Sequence, residues 1–342
     1  MPNFQTGGLV LLAIILVFAV ALILSRKPHS LDVRILNSGS EQPEQDRSQI
    51  SVASWNLGYA GLGAESDFFA DGGSMSRAPS QQAAENNLDG IVHQLGEMDV
   101  DVLLLQEVSG PSYLNRGMDL VGAISSGMPE AWLGYLTEID PPFLPLWIRP
   151  RLGKAIVSQS VPDQSIAYSL PGDGGRILGI IKRHYSAQTV ILNNPSGPDW
   201  AIINIHLSAF DEGGEARFRQ LEAVFDLGRT LEDEGYNVVI GGDWNLRLAD
   251  TDFANTTDEQ YLFWLHDFPE EKLPAGWQIV IDPAMPTVRT NERPYRSGEN
   301  YTTIIDGFIV SPGVDVVAVE GLDLGFQHAD HQPVVARFRA KP

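Results

Sequence analysis

The sequence predicts one layered domain of the α/β or α+β class over residues 50–340. Short apolar runs of strand character alternate along this range with segments of helical periodicity, an arrangement typical of layered domains. The hydrophobic fraction of the 342 residues is 43%, which is ample for a folded core. We find neither an internal repeat nor a boundary inside the range. One domain large enough for an enzyme is therefore expected.

The individual elements follow from local patterns. Apolar residues spaced three or four apart predict helices over residues 80–97 and 215–231. Short apolar runs predict strands at residues 50–55, 102–105, 153–160, 176–184, 201–206, 237–241, 303–310, 314–319 and 334–339. Because strands outnumber helices, we expect the domain to be built on β-sheets.

The N-terminus carries an apolar segment that we interpret as a membrane anchor. Residues 8–24 contain no charged or hydrogen-bonding side chain. A helix of this length spans about 26 Å, and adding Gly7 and Ser25 brings it closer to the hydrocarbon thickness of about 30 Å. A cleaved signal peptide is the alternative, but residues 1–6 lack the positive charge of such peptides. We therefore expect a single-pass membrane protein with its anchor at residues 7–25.

A polar segment separates the predicted anchor from the domain. Residues 26–49 contain interspersed Ser, Gly, Gln, Pro and Glu, a composition typical of a flexible linker. Such a linker reaches about 25–30 Å, so the domain would stay close to the bilayer. Arg26 and Lys27 favour a cytoplasmic domain by the positive-inside rule, but two charges do not decide its side of the membrane.

Composition restricts the partners and the chemistry. The chain has 44 acidic and 23 basic residues, a formal net charge of −21. This charge repels polyanions at long range and disfavours long duplex nucleic acid as a partner, although a bound cation can reverse the sign locally. Cysteine is absent, which excludes disulfides, thiolate zinc sites and cysteine nucleophiles.

Polar side chains recur at the ends of the predicted strands. Residues 238–245 form an apolar run that stops at two glycines and then delivers Asp243 and Asn245. Alternate strand residues point to the same side, so these two side chains can project together, and such a pair suits a metal-bound phosphate. Comparable positions hold Asn56, Gln106 with Glu107, His206, Asp306, and Asp330 with His331. Each position is weak evidence alone, but the series indicates a functional site.

The ordered series resembles the endonuclease/exonuclease/phosphatase superfamily, a metal-dependent group that includes DNase I-like nucleases, inositol polyphosphate 5-phosphatases and neutral sphingomyelinases. The resemblance covers about residues 50–340. It rests on Trp55-Asn56, Gln106-Glu107, Asn204-x-His206-Leu207, Gly242-Asp243-x-Asn245, Ile305-Asp306 and Asp330-His331-x-Pro333. It implies a four-layer α-β-β-α sandwich of two packed mixed β-sheets flanked by helices, which is compatible with the predicted strands.

The resemblance implies a divalent metal cofactor, Mg²⁺ or Mn²⁺. Glu107 is the expected ligand, because Mg²⁺ prefers hard oxygen donors and binds through one or two carboxylates. Asn56 and Asp330 would complete or brace the site. The metal would polarise a phosphoryl oxygen and stabilise charge on the departing oxygen.

The resemblance also implies the catalytic roles. His331 would be the general base that activates water, with a pKa near neutrality, and Asp306 would accept its other ring N–H. His206 would stabilise the phosphate or protonate the leaving group. Asp243 and Asn245 would position water and phosphate.

Local features favour a lipid or another small phosphoester as the substrate. The acidic charge and a total of five lysines disfavour long duplex DNA, whereas the anchor and short linker favour a membrane substrate. Residues 141–149 form an apolar, proline-rich loop that would either enter the lipid interface or pack over the core. Residues 208–220 resemble the sphingomyelinase side of the superfamily.

The leading hypothesis is thus a membrane-anchored, Mg²⁺-dependent phosphodiesterase acting on a phospholipid headgroup or other small phosphoester. A metal-dependent nuclease of the same superfamily is the first alternative. A catalytically inactive binding module is the second, and the intact series of polar residues argues against it.

Overall fold

The computed structural model of the protein describes residues 20, 31–40, 46–141, 144–145, 149–175, 181–209 and 213–341. Within these ranges, no helix has the length and apolarity needed to cross a membrane. The predicted anchor at residues 7–25 lies outside them apart from Val20, as does much of the apolar loop at residues 141–149.

Fifteen strands and three α-helices are described. The strands are β1 (Arg34–Ser38), β2 (Gln49–Asn56), β3 (Val102–Ser109), β4 (Trp132–Ile139), β5 (Leu152–Ser158), β6 (Gln164–Ser169), β7 (Ser186–Leu192), β8 (Trp200–His206), β9 (Asn237–Asp243), β10 (Gln278–Val280), β11 (Val288–Arg289), β12 (Thr302–Thr303), β13 (Asp306–Val310), β14 (Val314–Gly321) and β15 (Val334–Ala340). The helices are α1 (Gln81–Glu97), α2 (Leu120–Gly127) and α3 (Glu215–Asp233).

Two mixed β-sheets form the frame of the domain. The first has the strand order β1-β4-β5-β3-β2-β15-β14 and the second β10-β13-β9-β8-β7-β6, while β11 and β12 pair separately. Each large sheet contains one parallel pair, β2 with β3 and β8 with β9, and its other neighbours are antiparallel. The predicted pair of mixed sheets is confirmed.

Strand alternation explains how the sheets pack. In β3, Val102 and Leu104 enter the core between the sheets, whereas Leu103 and Leu105 pack beneath α1 and α2. Strand β9 alternates in the same way between the inner core and the cluster beneath α3. Full burial of one such side chain contributes about 1.5–3 kcal/mol. The helices therefore cover the outer faces of the two sheets.

One predicted strand, at residues 176–184, is not found in the part of it that the structure describes. Residues 181–184 are not part of a strand, and residues 176–180 of the predicted strand 176–184 lie outside the described range. Strands β6 and β7 flank this segment instead. Strand β7 carries polar residues that local hydrophobicity does not identify as buried, such as Gln188, whose Nε2 donates to the Gly134 carbonyl at 2.9 Å.

Part of the predicted linker at residues 26–49 belongs to the first sheet. Strand β1 pairs antiparallel with β4 at the sheet edge. The Asn37 side chain fixes this strand, because its Nδ2 donates to the carbonyls of Ser125 and Met128 at the end of α2, both at 2.9 Å. The flexible-linker prediction therefore requires correction at residues 34–38.

Candidate active site

Three neighbouring strands of the second sheet place ionisable side chains side by side. His206 ends β8, Asp243 ends β9 and Asp306 begins β13. The strand register pairs His206 with Asp243 and Asp243 with Asp306. Adjacent strands lie roughly 5 Å apart, so register alone brings these side chains within reach of one another. All three are buried.

A β-bulge turns Glu107 into the site. The pairing of β3 with β5 shifts between Leu105 and Val108, and Glu107 has a φ of +51°. Val108 packs with Leu103 and Leu105 on the side of the sheet that the helices cover. Strict strand alternation would have placed the side chain of residue 107 on that side instead. The bulge thus changes the side-chain parity and re-aims the carboxylate. Glu107 consequently lines a cavity shared with Asn56 at the end of β2.

The two glycines before Asp243 are required by backbone packing. Gly242 has a φ of +148°, and a Cβ there would lie 2.1 Å from the Ile205 carbonyl oxygen. A Cβ on Gly241 would lie 2.6 Å from the Phe308 ring. The two glycines therefore allow the neighbouring strands of the protein to approach β9 closely.

His331 and Asp306 form a hydrogen-bonded pair. The distance between His331 Nδ1 and Asp306 Oδ2 is 2.8 Å, while the Trp55 indole donates to the His331 carbonyl at 2.9 Å. The other ring nitrogen, Nε2, lies 3.8 Å from Asp243 Oδ2. A carboxylate at Nδ1 favours the tautomer protonated there and leaves Nε2 to accept a proton.

The pKa of His331 differs from the near-neutral value expected. Burial alone would lower it, but Asp306, Asp243 and Asp330 outweigh this effect and raise the pKa to about 10. Burial raises the pKa of Asp306 to about 6, against the opposing effect of His331. The physical reason is that several carboxylates converge on one imidazole, and a cation bound among them would oppose the shift of His331.

Asp243 is the hydrogen-bonding centre of the site. Its Oδ2 accepts from Asn56 Nδ2 at 2.9 Å, and its Oδ1 accepts from the backbone N–H of Asn245 at 2.9 Å. His206 Nε2 lies 3.4 Å from Oδ2. The side-chain Nδ2 of Asn245 donates in turn to the Leu207 carbonyl at 3.0 Å. Asn56 therefore braces Asp243 through its amide nitrogen.

His206 is held neutral by its surroundings. Burial is the main cause that moves its pKa well below 6.5, and Arg183, Lys154 and His331 lower it further. A neutral imidazole has no extra proton to give to a leaving group at pH 7, but its N–H can donate a hydrogen bond to a phosphate. The lowered pKa argues against leaving-group protonation by His206, and phosphate stabilisation stays a prediction.

Glu107 and Asp330 fit a divalent cation. Among the described residues, none donates a hydrogen bond to the Glu107 carboxylate, and buried Asp330 Oδ1 also lacks a described partner. Burial, followed by repulsion from Asp330, raises the pKa of Glu107 to about 7. Two carboxylates that repel each other and keep free oxygen atoms form a donor set suited to Mg²⁺ or Mn²⁺.

A second group of potential ligand atoms belongs to Asp243, Asp306 and His331, which lie within 4.8 Å of one another. We do not assign the metal to this group, because the hydrogen bond between His331 and Asp306 already occupies one atom of each. The set around Glu107 retains its free oxygens.

Asp71 and Asn291 lie next to Asp330 and extend the site. Neither was predicted from the sequence as a site residue. Asn291 Nδ2 donates to Asp330 Oδ2 at 2.8 Å and to Asp71 Oδ2 at 3.1 Å. Burial raises the pKa of Asp71 to about 6. Both residues lie outside the strands, so no periodic pattern marks them; the Asp71-Gly72-Gly73 turn is the one local signal.

Glu107, His206, Asp243 and His331 line a cavity of about 840 Å³. Much of its wall is apolar, and Phe69 and Tyr113 are 57% and 37% exposed at its edge. The apolar lining includes Leu62, Phe68, Leu114, Ile139, Leu152 and Ile181. The cavity can therefore accept an apolar or aromatic group next to the reacting centre.

Comparison with known proteins identifies one family. The model of the Endonuclease/Exonuclease/phosphatase family matches residues 53–331. No curated protein sequence matches the chain.

Solved structures share the fold at low sequence identity. The endonuclease/exonuclease/phosphatase from Beutenbergia cavernae DSM 12333 is 20% identical with a TM-score of 0.54, over 86% of this chain and 72% of that one. Truncated TDP2 from Caenorhabditis elegans is 16% identical with a TM-score of 0.52, over 85% and 98% of the two chains. ANGEL2, a 2′,3′-cyclic phosphatase, is 14% identical with a TM-score of 0.54, over 92% and 99%.

Proposed function

Because the chain belongs to the endonuclease/exonuclease/phosphatase family of metal-dependent phosphoric ester hydrolases, we propose that it is a Mg²⁺-dependent phosphodiesterase anchored in a membrane. Its substrate is a phospholipid headgroup or another small phosphoester. The anchor is residues 7–25, and the catalytic domain covers residues 50–340. A phospholipid substrate would make the protein most similar in function to the sphingomyelinases of the family.

The observation that carries the proposal is the junction of the catalytic side chains with an apolar cavity. The cavity contacts both Glu107 and His331, and its walls continue to the aromatic side chains of Phe68 and Phe69. Removing apolar surface from water favours a substrate that has an apolar group beside its phosphate. A fully polar phosphoester would leave this wall uncovered.

The chain's own residues supply the acid–base chemistry. In its neutral form, which a cation bound among the carboxylates would favour, His331 takes a proton from the attacking water at Nε2, and Asp306 holds the ring through Nδ1. Asp243 and Asn245 orient the water and the phosphate. Glu107 and Asp330 would hold the divalent cation, which would polarise a phosphoryl oxygen and stabilise charge on the departing oxygen.

A nuclease acting on short or single-stranded substrates is the second candidate. The exposed rings of Phe69 and Tyr113 at the cavity edge favour it, because such rings can stack on bases. The net charge of −21 opposes binding of long nucleic acid.

A substrate panel separates these functions. The full-length protein in detergent micelles is assayed with bis-p-nitrophenyl phosphate, sphingomyelin, phosphatidylcholine, plasmid DNA and single-stranded DNA, each with Mg²⁺ and with EDTA. We expect Mg²⁺-dependent hydrolysis and a preference for a lipid. His331→Ala is the control for contaminating activity. If a nucleic acid is the best substrate, the lipid proposal is wrong.

The membrane anchor has its own test. The full-length chain expressed in cells should stay in the membrane fraction after carbonate extraction, whereas a chain without residues 7–25 should be released. Protease protection of sealed vesicles then assigns the side of the domain. Release of the full-length chain by carbonate contradicts the anchor.

A further inference from the structure

We propose that Arg183 is the cation that binds a non-bridging oxygen of the substrate phosphate. The proposal rests on the phosphodiesterase function above and assigns a residue that neither a sequence motif nor the family resemblance identified. Arg183 precedes β7, and its side chain is 17% exposed where it lines the catalytic cavity.

The guanidinium of Arg183 is fixed from two sides. Glu138 Oε2 accepts hydrogen bonds from Arg183 Nε at 3.2 Å and from Nη2 at 2.9 Å. The guanidinium carbon lies 4.7 Å from the centre of the Tyr185 ring, a cation–π contact. Both interactions orient the planar group before a substrate arrives. A preorganised donor of this kind stabilises charge without reorganising during the reaction.

The cluster around Glu138 carries an excess positive charge. Glu138 Oε1 pairs with Lys154 Nζ at 2.9 Å, so one carboxylate serves two cations. Lys154 is fully buried in this cluster, although its sequence position is more typical of a surface lysine at a strand end. One positive charge is therefore unmatched within the cluster, and Arg183 presents it to the cavity. Among the described residues, the hydrogen bonds from Arg183 to Glu138 use only Nε and Nη2, so Nη1 can donate to an anion in the cavity.

Arg183 also lies close to the catalytic groups. Its side chain lines the same cavity as Glu107 and His206. Among the described residues, no ion pair joins Arg183 to Glu107, and both side chains line the cavity. His206 is neutral and cannot supply this positive charge. Arg183 keeps its proton throughout and acts by binding alone.

Three variants of the full-length protein test this assignment. Arg183→Ala removes the cation, Arg183→Lys keeps the charge without the planar fork, and Lys182→Ala is the matched control because Lys182 is the exposed cation next to it. Each is measured for kcat/KM with bis-p-nitrophenyl phosphate in saturating Mg²⁺. Each is also measured for the Kd of inorganic phosphate by calorimetry in the same buffer.

We expect Arg183→Ala to lower kcat/KM by about 100-fold, the scale for loss of one oxyanion-binding donor, and to weaken phosphate binding at least tenfold. Added guanidinium should restore part of this activity, and it should not restore that of His331→Ala. Arg183→Lys should be intermediate and insensitive to guanidinium. Lys182→Ala should match the wild type.

Equal phosphate affinity in the wild type and Arg183→Ala overturns the proposal, as does a wild type that binds no phosphate. If the alanine variant does not fold, Arg183→Lys decides, and unchanged kcat/KM and Kd in that variant reject the role. A wild type that binds phosphate through Arg183 but hydrolyses no phosphoester contradicts the proposed function alone.

Discussion

His331 Nδ1 and Asp306 Oδ2 lie 2.8 Å apart, and the strand register sets Asp306 directly beside Asp243. The pair joins the loop that precedes β15 in the first sheet to β13 in the second. Its geometry therefore depends on how the two sheets pack. The hydrogen bond fixes one ring nitrogen of His331 and leaves the other directed towards Asp243, at 3.8 Å.

Loss of this pair should abolish most of the activity. We expect His331→Ala to lower kcat for bis-p-nitrophenyl phosphate by about 10²-fold or more, the usual scale of acid–base catalysis. Asp306→Asn should cause a loss of the same order, because an amide no longer selects the tautomer protonated at Nδ1. His93→Ala, at an exposed position of α1, is the control. Near-wild-type turnover of His331→Ala would remove its assignment as the base.

The metal should depend on Glu107 and Asp330. We expect excess EDTA to abolish hydrolysis and Mg²⁺ to restore it. Glu107→Gln and Asp330→Asn should each weaken Mn²⁺ binding by at least tenfold in calorimetric titrations, because each removes a charged oxygen donor. The control Glu97→Gln alters an exposed carboxylate at the end of α1. Unchanged Mn²⁺ affinity in Glu107→Gln would place the metal elsewhere, with the group around Asp243 as the next site to test.

Gly242→Ala should destabilise the domain strongly. The new Cβ would lie 2.1 Å from the Ile205 carbonyl oxygen at a φ of +148°, so strands β8 and β9 would have to separate. We expect a loss of about 3 kcal/mol in the free energy of unfolding, at the upper end of single substitutions. Gly96→Ala is the control, since a Cβ there meets nothing within 4 Å and should stabilise α1 by about 0.5–1 kcal/mol. Urea denaturation measures both, and equal stabilities would contradict the packing role of Gly242.

Glu138 should make stability depend on pH in the acid range. Burial alone would raise its pKa, but Lys154 and Arg183 outweigh burial and hold the pKa below the ordinary value of 4.5. Its contribution is therefore complete above the unfolded pKa and lost as the pH falls through the lower folded pKa.

We therefore expect Glu138→Gln to cost about 3 kcal/mol of stability at pH 7, the scale for breaking a buried ion pair. The difference from the wild type should stay constant down to about pH 5, the onset for a carboxylate with a depressed pKa, and shrink below it. Urea denaturation from pH 7 to pH 3 measures it, with exposed Glu271→Gln as the control. A difference that grows towards low pH would show that the carboxylate is not stabilised as an anion.

The sequence alone determined a layered domain and the strands and helices with clear apolar periodicity, while the family resemblance supplied the pair of sheets. The alternation in residues 102–105 and the helical spacing in residues 80–97 follow from backbone periods of 2 and 3.6 residues, which act locally and are therefore visible in the chain. The order of the polar strand ends likewise identified Asp243, Asp306 and His331 before any distance was known.

Only the tertiary structure decided how these side chains meet. The bulge that re-aims Glu107 changes parity within a single strand, and no residue in Gln106-Glu107 signals it. The ion pairs of Glu138 join residues up to 45 positions apart. Such contacts depend on packing between sheets, which local periodicity does not encode. The sequence therefore determined which residues stand at the strand ends, whereas tertiary packing shifted their pKa values and placed Arg183 on the cavity wall.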